Sequence, residues 1–336
     1  MVNAVGVDAG TKTYEIFAIK DGEFFAETFE SDLVRENPIA LVEAIESYEA
    51  DVYAGLSGYG MPIKKFSQIT KEDLLLMTLN VDFEKSIGLR SVIEEIRKKN
   101  MNFYTIPGVI HLPTVPKWRK FNKIDLGTSD KLCSAVLAVL QLSKEIELEK
   151  QSFILAEIGY GFSSFIAVKN GRIIDGIGGT SGFPGYSSLG SIDAELAYLL
   201  GDFPKNTIFT GGVKSFVEEN GGNSIEVLSE FVLKGIKAIE VSVGKAEFCI
   251  LSGKFAKDLE KIIAEEYNTR ILKGFGIGKQ SAQGAGVIAN AIGGGEFEPI
   301  VRKMEIFSAS GTVLDYLSAE LKSRVLKRLN LYFRSN

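Results

Sequence analysis

The chain has 336 residues, 45% of them apolar and 24% charged, which suits a soluble globular protein long enough for two full cores. Its net charge of −5 and pI near 5.3 argue against nucleic-acid binding, which normally shows a basic face. No apolar run approaches the ~20 residues that span a bilayer, and the start MVNAVGVDAG runs straight into a strand, so neither a membrane segment nor a signal peptide is expected.

In chain order, Val5-Gly6-Val7-Asp8-Ala9-Gly10-Thr11-Lys12-Thr13 reads as a strand ending in an acid and a glycine turn. Strands over 14–19 and 23–29 follow, joined by a turn at Asp21-Gly22. Asn37-Pro38 opens a helix through Tyr48 with Ile39, Val42, Ala44 and Ile45 available for its apolar face. The segment 51–56 is a strand that ends in Ser57-Gly58-Tyr59-Gly60, and ligands of α/β sheets gather at such strand ends. A loop with a short helix around 74–77 fills 64–82. An amphipathic helix is predicted over 83–99 and a strand over 103–110, with His111, Pro113, Pro116 and Trp118 in the irregular stretch beyond. Asp125-Leu126-Gly127-Thr128-Ser129-Asp130-Lys131 leads into a helix over 132–142. Thr128 or Ser129 can cap it, and Asp130 suits its positive end. The charged segment 144–150 is the passage between two halves.

The second half opens as the first did. A buried strand over 153–156 ends at Glu157, the glycine turn Gly159-Tyr160-Gly161 follows, and strands over 162–168 and 172–177 flank Asn170-Gly171, a strong hairpin signal. A strand, a tight glycine turn and a strand expose backbone N–H groups to a phosphate with no side chains in the way. Two copies, roughly 150 residues apart, predict similar half-domains facing each other across a phosphate. Further on, a helix is expected over 190–200 and a short strand over 206–213 that runs into Thr210-Gly211-Gly212. A helix over 225–243, a strand over 248–251, Ser252-Gly253-Lys254 and a helix over 255–266 come next. The chain closes with a strand over 270–275, a small-residue helix over 282–292 and helix within 314–331. Gly293-Gly294-Gly295 is most simply a helix stop. Cys133 and Cys249 stand alone in apolar surroundings, as core thiols of a reducing compartment do, and cytoplasm is the expected location. The pattern is α/β with two related lobes.

These motifs, in this order, resemble the superfamily that joins actin, the heat-shock chaperone ATPases, sugar kinases and acetate and butyrate kinases. The first glycine turn, from Val7 to Thr13, looks like its first phosphate segment, and 158–164 looks like its second. The stretch 250–255 looks like its adenosine segment. The glycine turn, the Asn-Gly-Arg hairpin, Asp175, the Gly/Ser/Pro loop and the glycine-flanked helix 284–293 are most similar to butyrate kinase, and to an archaeal family described as butyrate-kinase-like. The resemblance implies a two-lobed, duplicated ribonuclease H-like (actin-like ATPase) fold with a nucleotide cleft between lobes 1–148 and 149–336. It further implies ATP and Mg²⁺ as ligands and a small-molecule acid or alcohol as phosphoryl acceptor. No nucleic acid or membrane is expected as partner, and a homodimer is admitted.

The chain departs from that pattern in places. Asp8 stands where acetate and butyrate kinases carry Asn. An acid there is typical of sugar kinases and type III pantothenate kinases, in which it helps hold the metal. Glu157 and Gly159-Tyr160-Gly161 replace a glycine triplet or an Asp-Gly pair. The catalytic His and Arg set of acetate kinases has no clear counterpart, since His111 is the only histidine. The Gly127–Lys131 turn is similar to the Gly-x-Asp-Arg segment of type III pantothenate kinases, whose Asp acts as base.

The resulting assignments each have a plainer rival. Asp8 and Glu157 are the metal candidates, or else a turn-ordering acid and a strand end in solvent. Gly10, Thr11, Thr13, Gly159, Tyr160, Gly161 and Ser163 would cradle phosphate. Ser252, Gly253 and Lys254 would meet the adenosine, with Thr210-Gly211-Gly212 as the other choice. Lys12 neutralises a β- or γ-phosphate or is an outward strand charge. Asp130 is a general base or only a helix-end charge, and Lys131 is a candidate to hold an anionic substrate. His111 is structural or lies in a substrate loop. The rival activity is an ATPase switch of the actin or chaperone kind, or a scaffold that has lost catalysis.

Overall fold

The computed structural model describes residues 1–80 and 87–335. The first sheet holds β1 (Ala4–Ala9), β2 (Thr13–Lys20), β3 (Glu23–Glu30), β4 (Val52–Gly55) and β5 (Phe103–Tyr104) in the order β3-β2-β1-β4-β5. β1 pairs antiparallel with β2 and parallel with β4. The central strand is apolar on both faces because helices cover both, whereas β3 is an edge with three glutamates in eight residues. Asp21 and Gly22 have φ of 52° and 84°, as a two-residue hairpin turn requires.

The helices around this sheet are α1 (Ser31–Glu36), α2 (Pro38–Ser47), α3 (Lys71–Thr78), α4 (Ile87–Lys98), the short α5 (Lys117–Lys120) and α6 (Ser129–Leu142). α1 was not foreseen. The first four residues of the helix expected over 83–99, and the end of the segment 64–82, lie outside the described residues. β5 covers only the start of the strand expected over 103–110, since Pro107 and Gly108 break the pairing and a 3₁₀ turn follows at Val109–His111.

The second sheet repeats the first. It contains β6 (Ser152–Ile158), β7 (Ser163–Lys169), β8 (Arg172–Ile177), β9 (Phe248–Ser252) and β10 (Thr269–Ile271) in the order β10-β9-β6-β7-β8. Again the first strand pairs antiparallel with the second and parallel with the fourth. Asn170 and Gly171 have φ of 52° and 68°, the same turn as Asp21-Gly22. The remaining helices are α7 (Ala194–Leu200), α8 (Val213–Asn220), α9 (Ser224–Val243), α10 (Ala256–Ile263), α11 (Gln280–Ile292), α12 (Glu298–Lys303) and α13 (Ala319–Ser335). α7 starts at Ala194 rather than at 190 because Asp193 caps it, accepting from Glu195 N at 2.9 Å. The strand expected over 206–213 is instead a 3₁₀ turn, Lys205–Phe209, leading to α8, and only Gly211 bridges to Ser188.

The layers run helix, sheet, helix pair, sheet, helix. Leu41, Ile45, Val92 and Ile96 form the outer core of the first sheet, and Leu228, Val232, Ile236 and Leu259 that of the second. The central layer is α6 and α11, whose buried residues share one core with Phe17 of the first sheet and Phe153 of the second. α11 comes from the second half of the chain yet lies on β1. The approach is backbone to backbone: a Cβ on Gly6 would sit 2.0 Å from Gly286 N, and one on Gly284 would sit 2.0 Å from the Cys133 carbonyl.

Gly284→Ala tests this contact. Alanine would return about 1 kcal/mol of helix propensity, but forcing a methyl against main chain costs about 1–3 kcal/mol or more. The overlap is with backbone that cannot swing aside, so net destabilisation is expected as a lower urea midpoint at unchanged slope. An unchanged or raised midpoint would show that the helix pair has room to part.

Candidate active site

Both glycine turns have one geometry. Gly10 N donates to Thr13 O at 3.0 Å, and Gly159 N donates to Phe162 O at 3.0 Å, two residues after Asp8 and Glu157 respectively. The two turns face each other: a Cβ on Gly161 would lie 3.9 Å from Thr11 Oγ1. Among the described residues, the amides of Thr11, Lys12, Tyr160 and Gly161 have no main-chain partner. Gly10 and Gly159 therefore close the turns, and the free donors are their neighbours.

A cleft of about 1320 Å³ opens between these turns. Asp8, Gly10, Thr11, Lys12 and Thr13 line it from the first half, and Glu157, Gly159, Tyr160 and Gly161 from the second. Asp130 and Lys131 line it from the head of α6, and Ser252, Gly253 and Lys254 from the end of β9. Two expectations are corrected. Ser163 does not line the cleft: it begins β7 opposite Ile158, is 1% exposed, and its hydroxyl lies inside without a hydrogen-bond partner. Thr210-Gly211-Gly212 is also outside, since Gly212 N donates to Ser187 O at 3.2 Å and so braces the loop behind the second turn. His111 is buried away from the cleft. Its Nδ1 accepts from Gly108 N at 3.2 Å, and burial holds its pKa down at about 4.

The floor of the cleft is ionic. Lys131 Nζ lies 2.8 Å from Asp130 Oδ2 and 2.7 Å from Glu157 Oε2. Burial works against the Lys131 charge, but the two carboxylates outweigh it and hold the ammonium protonated. Burial likewise raises Asp130, yet Lys131 and the Thr128 hydroxyl, which donates to Oδ1, bring it below the ordinary carboxylate range. Asp8 and Glu157 stay above that range through burial, and the charge of Asp130 pushes both the same way.

Four further cleft residues have no site role assigned from the sequence, although Tyr59 stands in the strand-end loop where ligands were expected and Asp125 in the segment leading into α6. Lys279 precedes α11, donates from Nζ to Thr13 O at 2.8 Å and lies 3.5 Å from Asp8 Oδ2. Its amide donates to Glu15 Oε1 at 2.9 Å. A trace of it was present in the sequence as Gly276-Ile277-Gly278-Lys279 ahead of a helix. Asp125 accepts from Gly127 N at 3.0 Å, Thr180 N at 3.0 Å and Thr180 Oγ1 at 2.9 Å, which ties the loop after β8 to the entry of α6. Beside it the Tyr59 hydroxyl is held up at about 12, by burial and then by the Asp125 charge. Lys205 reaches from the second half to donate to the Thr78 carbonyl, and burial brings its pKa down to about 8.

Among the described residues no three His, Cys, Asp or Glu side chains are grouped to hold a metal. Magnesium is commonly held by one or two carboxylates, with phosphate oxygens and water completing the shell. Asp8 and Glu157 fit that demand: both are hard oxygen donors on the cleft, and their mutual crowding with Asp130 is a repulsion that a divalent cation relieves.

A family model described as "Protein of unknown function (DUF1464)" matches residues 6–319. The chain belongs to this family. No curated protein matches the sequence. Among solved structures, acetate kinase from Entamoeba histolytica has a TM-score of 0.56 at 13% identity over 79% of this chain and 86% of that one. A propionate kinase from Francisella tularensis subsp. tularensis SCHU S4 has a TM-score of 0.55 at 14% identity, covering 85% of this chain and 98% of that one. Porphyromonas gingivalis acetate kinase has a TM-score of 0.51 at 13% identity over 79% and 87% of the two chains. The DUF1464 chain thus shares the two-lobed α/β fold of these acetate and propionate kinases.

Replacing Lys131 by Met would leave Glu157 and Asp130 without their shared counter-ion. Breaking a buried pair typically costs about 3–5 kcal/mol, and Asp130 keeps some solvent, so a loss of roughly 2–4 kcal/mol at pH 7 is expected. Carboxylates raised above their unfolded pKa cost stability only above that value, so the loss should shrink as pH falls toward 4. Denaturant midpoints across that range decide it, and a deficit that stays constant with pH would disprove the ion cluster.

Proposed function

We propose that the protein binds ATP with Mg²⁺ in the cleft between two lobes, divided at residues 148 and 149, and transfers the γ-phosphoryl group to a small-molecule acid or alcohol. The observation that carries this reading is the repeated turn: two strand ends, each with an acid and two unpartnered amides, face each other across one cavity. Such a pair of N–H clusters suits the oxygens of a phosphate chain. When bound, Mg²⁺ would neutralise charge on the transferring group. Asp8 and Glu157 would hold it. The amides of Thr11, Lys12, Tyr160 and Gly161 would fix the phosphates, with the ammonium groups of Lys12 and Lys279 beside the first turn.

The Ser252-Gly253-Lys254 turn would take the adenosine. Gly253 lines the cleft with φ of 89°, and a Cβ there would sit 2.5 Å from the Ile158 carbonyl, so the turn needs glycine to pack this closely on the second phosphate segment. Asp130 is ionised at neutral pH and already accepts from Thr128 and Lys131. A carboxylate so committed is a weak base but a good acceptor, and it would orient a hydroxyl group for attack.

Mg²⁺ with ATP should stabilise the protein by ligand linkage, by about 2.7 kcal/mol at 100 times the dissociation constant. Asp8→Asn should fold normally and abolish ADP formation. Absence of any melting shift at millimolar nucleotide would refute nucleotide binding, and unchanged turnover in the variant would reduce Asp8 to a turn residue.

Asp130→Asn separates the acceptor classes in a screen of short-chain acids and alcohols. With an alcohol, kcat should fall by roughly 10²–10⁴ at unchanged ATP affinity. With an acid, already ionised, removing a nearby negative charge should leave kcat nearly intact and lower KM. If no ATP-dependent activity responds, the α6 turn is not the acceptor site.

A further inference from the structure

We infer that Lys205 holds an anionic group of the phosphoryl acceptor, a carboxylate or a phosphate, where the two halves of the chain meet. This rests on the kinase reading above and names the residue and charge that would select the acceptor. Lys205 begins the 3₁₀ turn between α7 and α8, in the second half, yet its ammonium donates to the carbonyl of Thr78 at the end of α3 and lies 5.3 Å from the Tyr59 ring centroid. All three residues line the cleft. Their wall also carries Asp130: the Gly58 carbonyl, next to Tyr59, accepts from Ser129 N at 3.0 Å and Ser129 Oγ at 3.1 Å.

Among the described residues the charge on Lys205 is uncompensated. Lys131 has two carboxylates and Lys279 has one, whereas no carboxylate pairs with Lys205 among the described residues. An ammonium has three donors, and one carbonyl uses one of them. Lys205 is half-buried, and holding such a group partly out of water without a counter-ion is costly, a cost that an anion in the cleft would offset. It contacts neither phosphate turn, which separates it from Lys12 and Lys279. The aromatic ring stabilises the cation without neutralising it. An anion bound here would touch a residue of the second half that is anchored on the first, so acceptor binding would also hold the lobes together.

The test uses the full chain loaded with Mg²⁺ and ADP and titrated calorimetrically with butyrate and, separately, with inorganic phosphate. Lys205→Gln keeps a donor for the Thr78 carbonyl but removes the charge, and Lys205→Arg restores the charge. At least one probe should bind the native protein. K205Q should weaken it by roughly 10- to 100-fold, the worth of one hydrogen bond to a charged group, and K205R should recover most of it. Binding of butyrate alone marks an acid acceptor, and binding of phosphate alone marks a phosphorylated one. The inference is overturned if neither probe binds, if K205Q binds within about twofold of native, or if ADP affinity falls as far as probe affinity, which would make Lys205 a nucleotide contact. If native protein fails to take up ADP, the kinase reading falls, and the same titrations without ADP still decide the anion site. Should K205Q lose its cooperative melting transition, K205M carries the comparison.

Discussion

Backbone meets backbone where α11 lies between β1 and α6, and the position of every cleft residue depends on that contact. Gly6, Gly284 and Gly286 remove the side chains that would otherwise hold the layers apart. The helix pair then becomes a shared floor for both sheets rather than the surface of either. Because each sheet has its first strand at the centre, both acid-and-glycine turns arrive on the same side of that floor. Lys279, one residue before α11, is carried to Asp8, and Lys131, near the start of α6, is carried to Glu157. A repeat in the chain thus becomes a single site because the helices between the sheets are interleaved.

That site is also where charge is least tolerable, and its groups are arranged to bear it. Three carboxylates, Asp8, Asp130 and Glu157, share two lysines, and their responses diverge. Asp130, held by both Lys131 and Thr128, is the acid kept ionised, while burial raises the two strand-end acids. Divergent carboxylates in one cleft are what an orienting acceptor and metal ligands require of otherwise similar side chains.

Local chemistry made much of this legible in the sequence. The hairpins at Asp21-Gly22 and Asn170-Gly171 could be read because their turn needs two positive φ values that few residue pairs accept. The central strands could be read from their unbroken apolar runs. The 206–213 stretch misled because Thr, Ile and Phe favour a strand in isolation, while here Lys205–Phe209 winds into a 3₁₀ turn after Pro204 and only Gly211 forms a bridge, to Ser188. In the site, motif residues next to a glycine turn were found, and Tyr59 lies in the strand-end loop where a ligand was expected, whereas Lys279 and Lys205 were not found and Asp125 was read only as the start of the segment leading into α6. Lys279 meets Glu15 across 264 residues of sequence, and nothing local encodes such a meeting. Ser163 was over-read for the opposite reason: adjacency to the turn suggested a ligand, but the strand register turns its side chain inward.

The cleft lysines fall into two sets, and the division connects structure with substrate. Lys131 and Lys279 are committed to carboxylates and set the ionisation of the floor. Lys12, Lys205 and Lys254 have no carboxylate partner among the described residues and rest on aromatic rings instead. The Lys12 and Lys254 ammonium groups lie 5.5 and 4.8 Å from the Tyr160 centroid, one from each half of the chain, and Lys205 lies over Tyr59. A carboxylate partner would have to be displaced before such a lysine could serve an incoming anion, at the cost of an ion pair. A ring imposes no such cost: it holds the ammonium in place by its quadrupole and leaves the full charge to be used. In a protein of net charge −5, three cations kept free in one cavity amount to a local reversal of sign. Anions would be drawn toward the cavity and repelled elsewhere on the surface, and the loss of water as they bind would strengthen each contact.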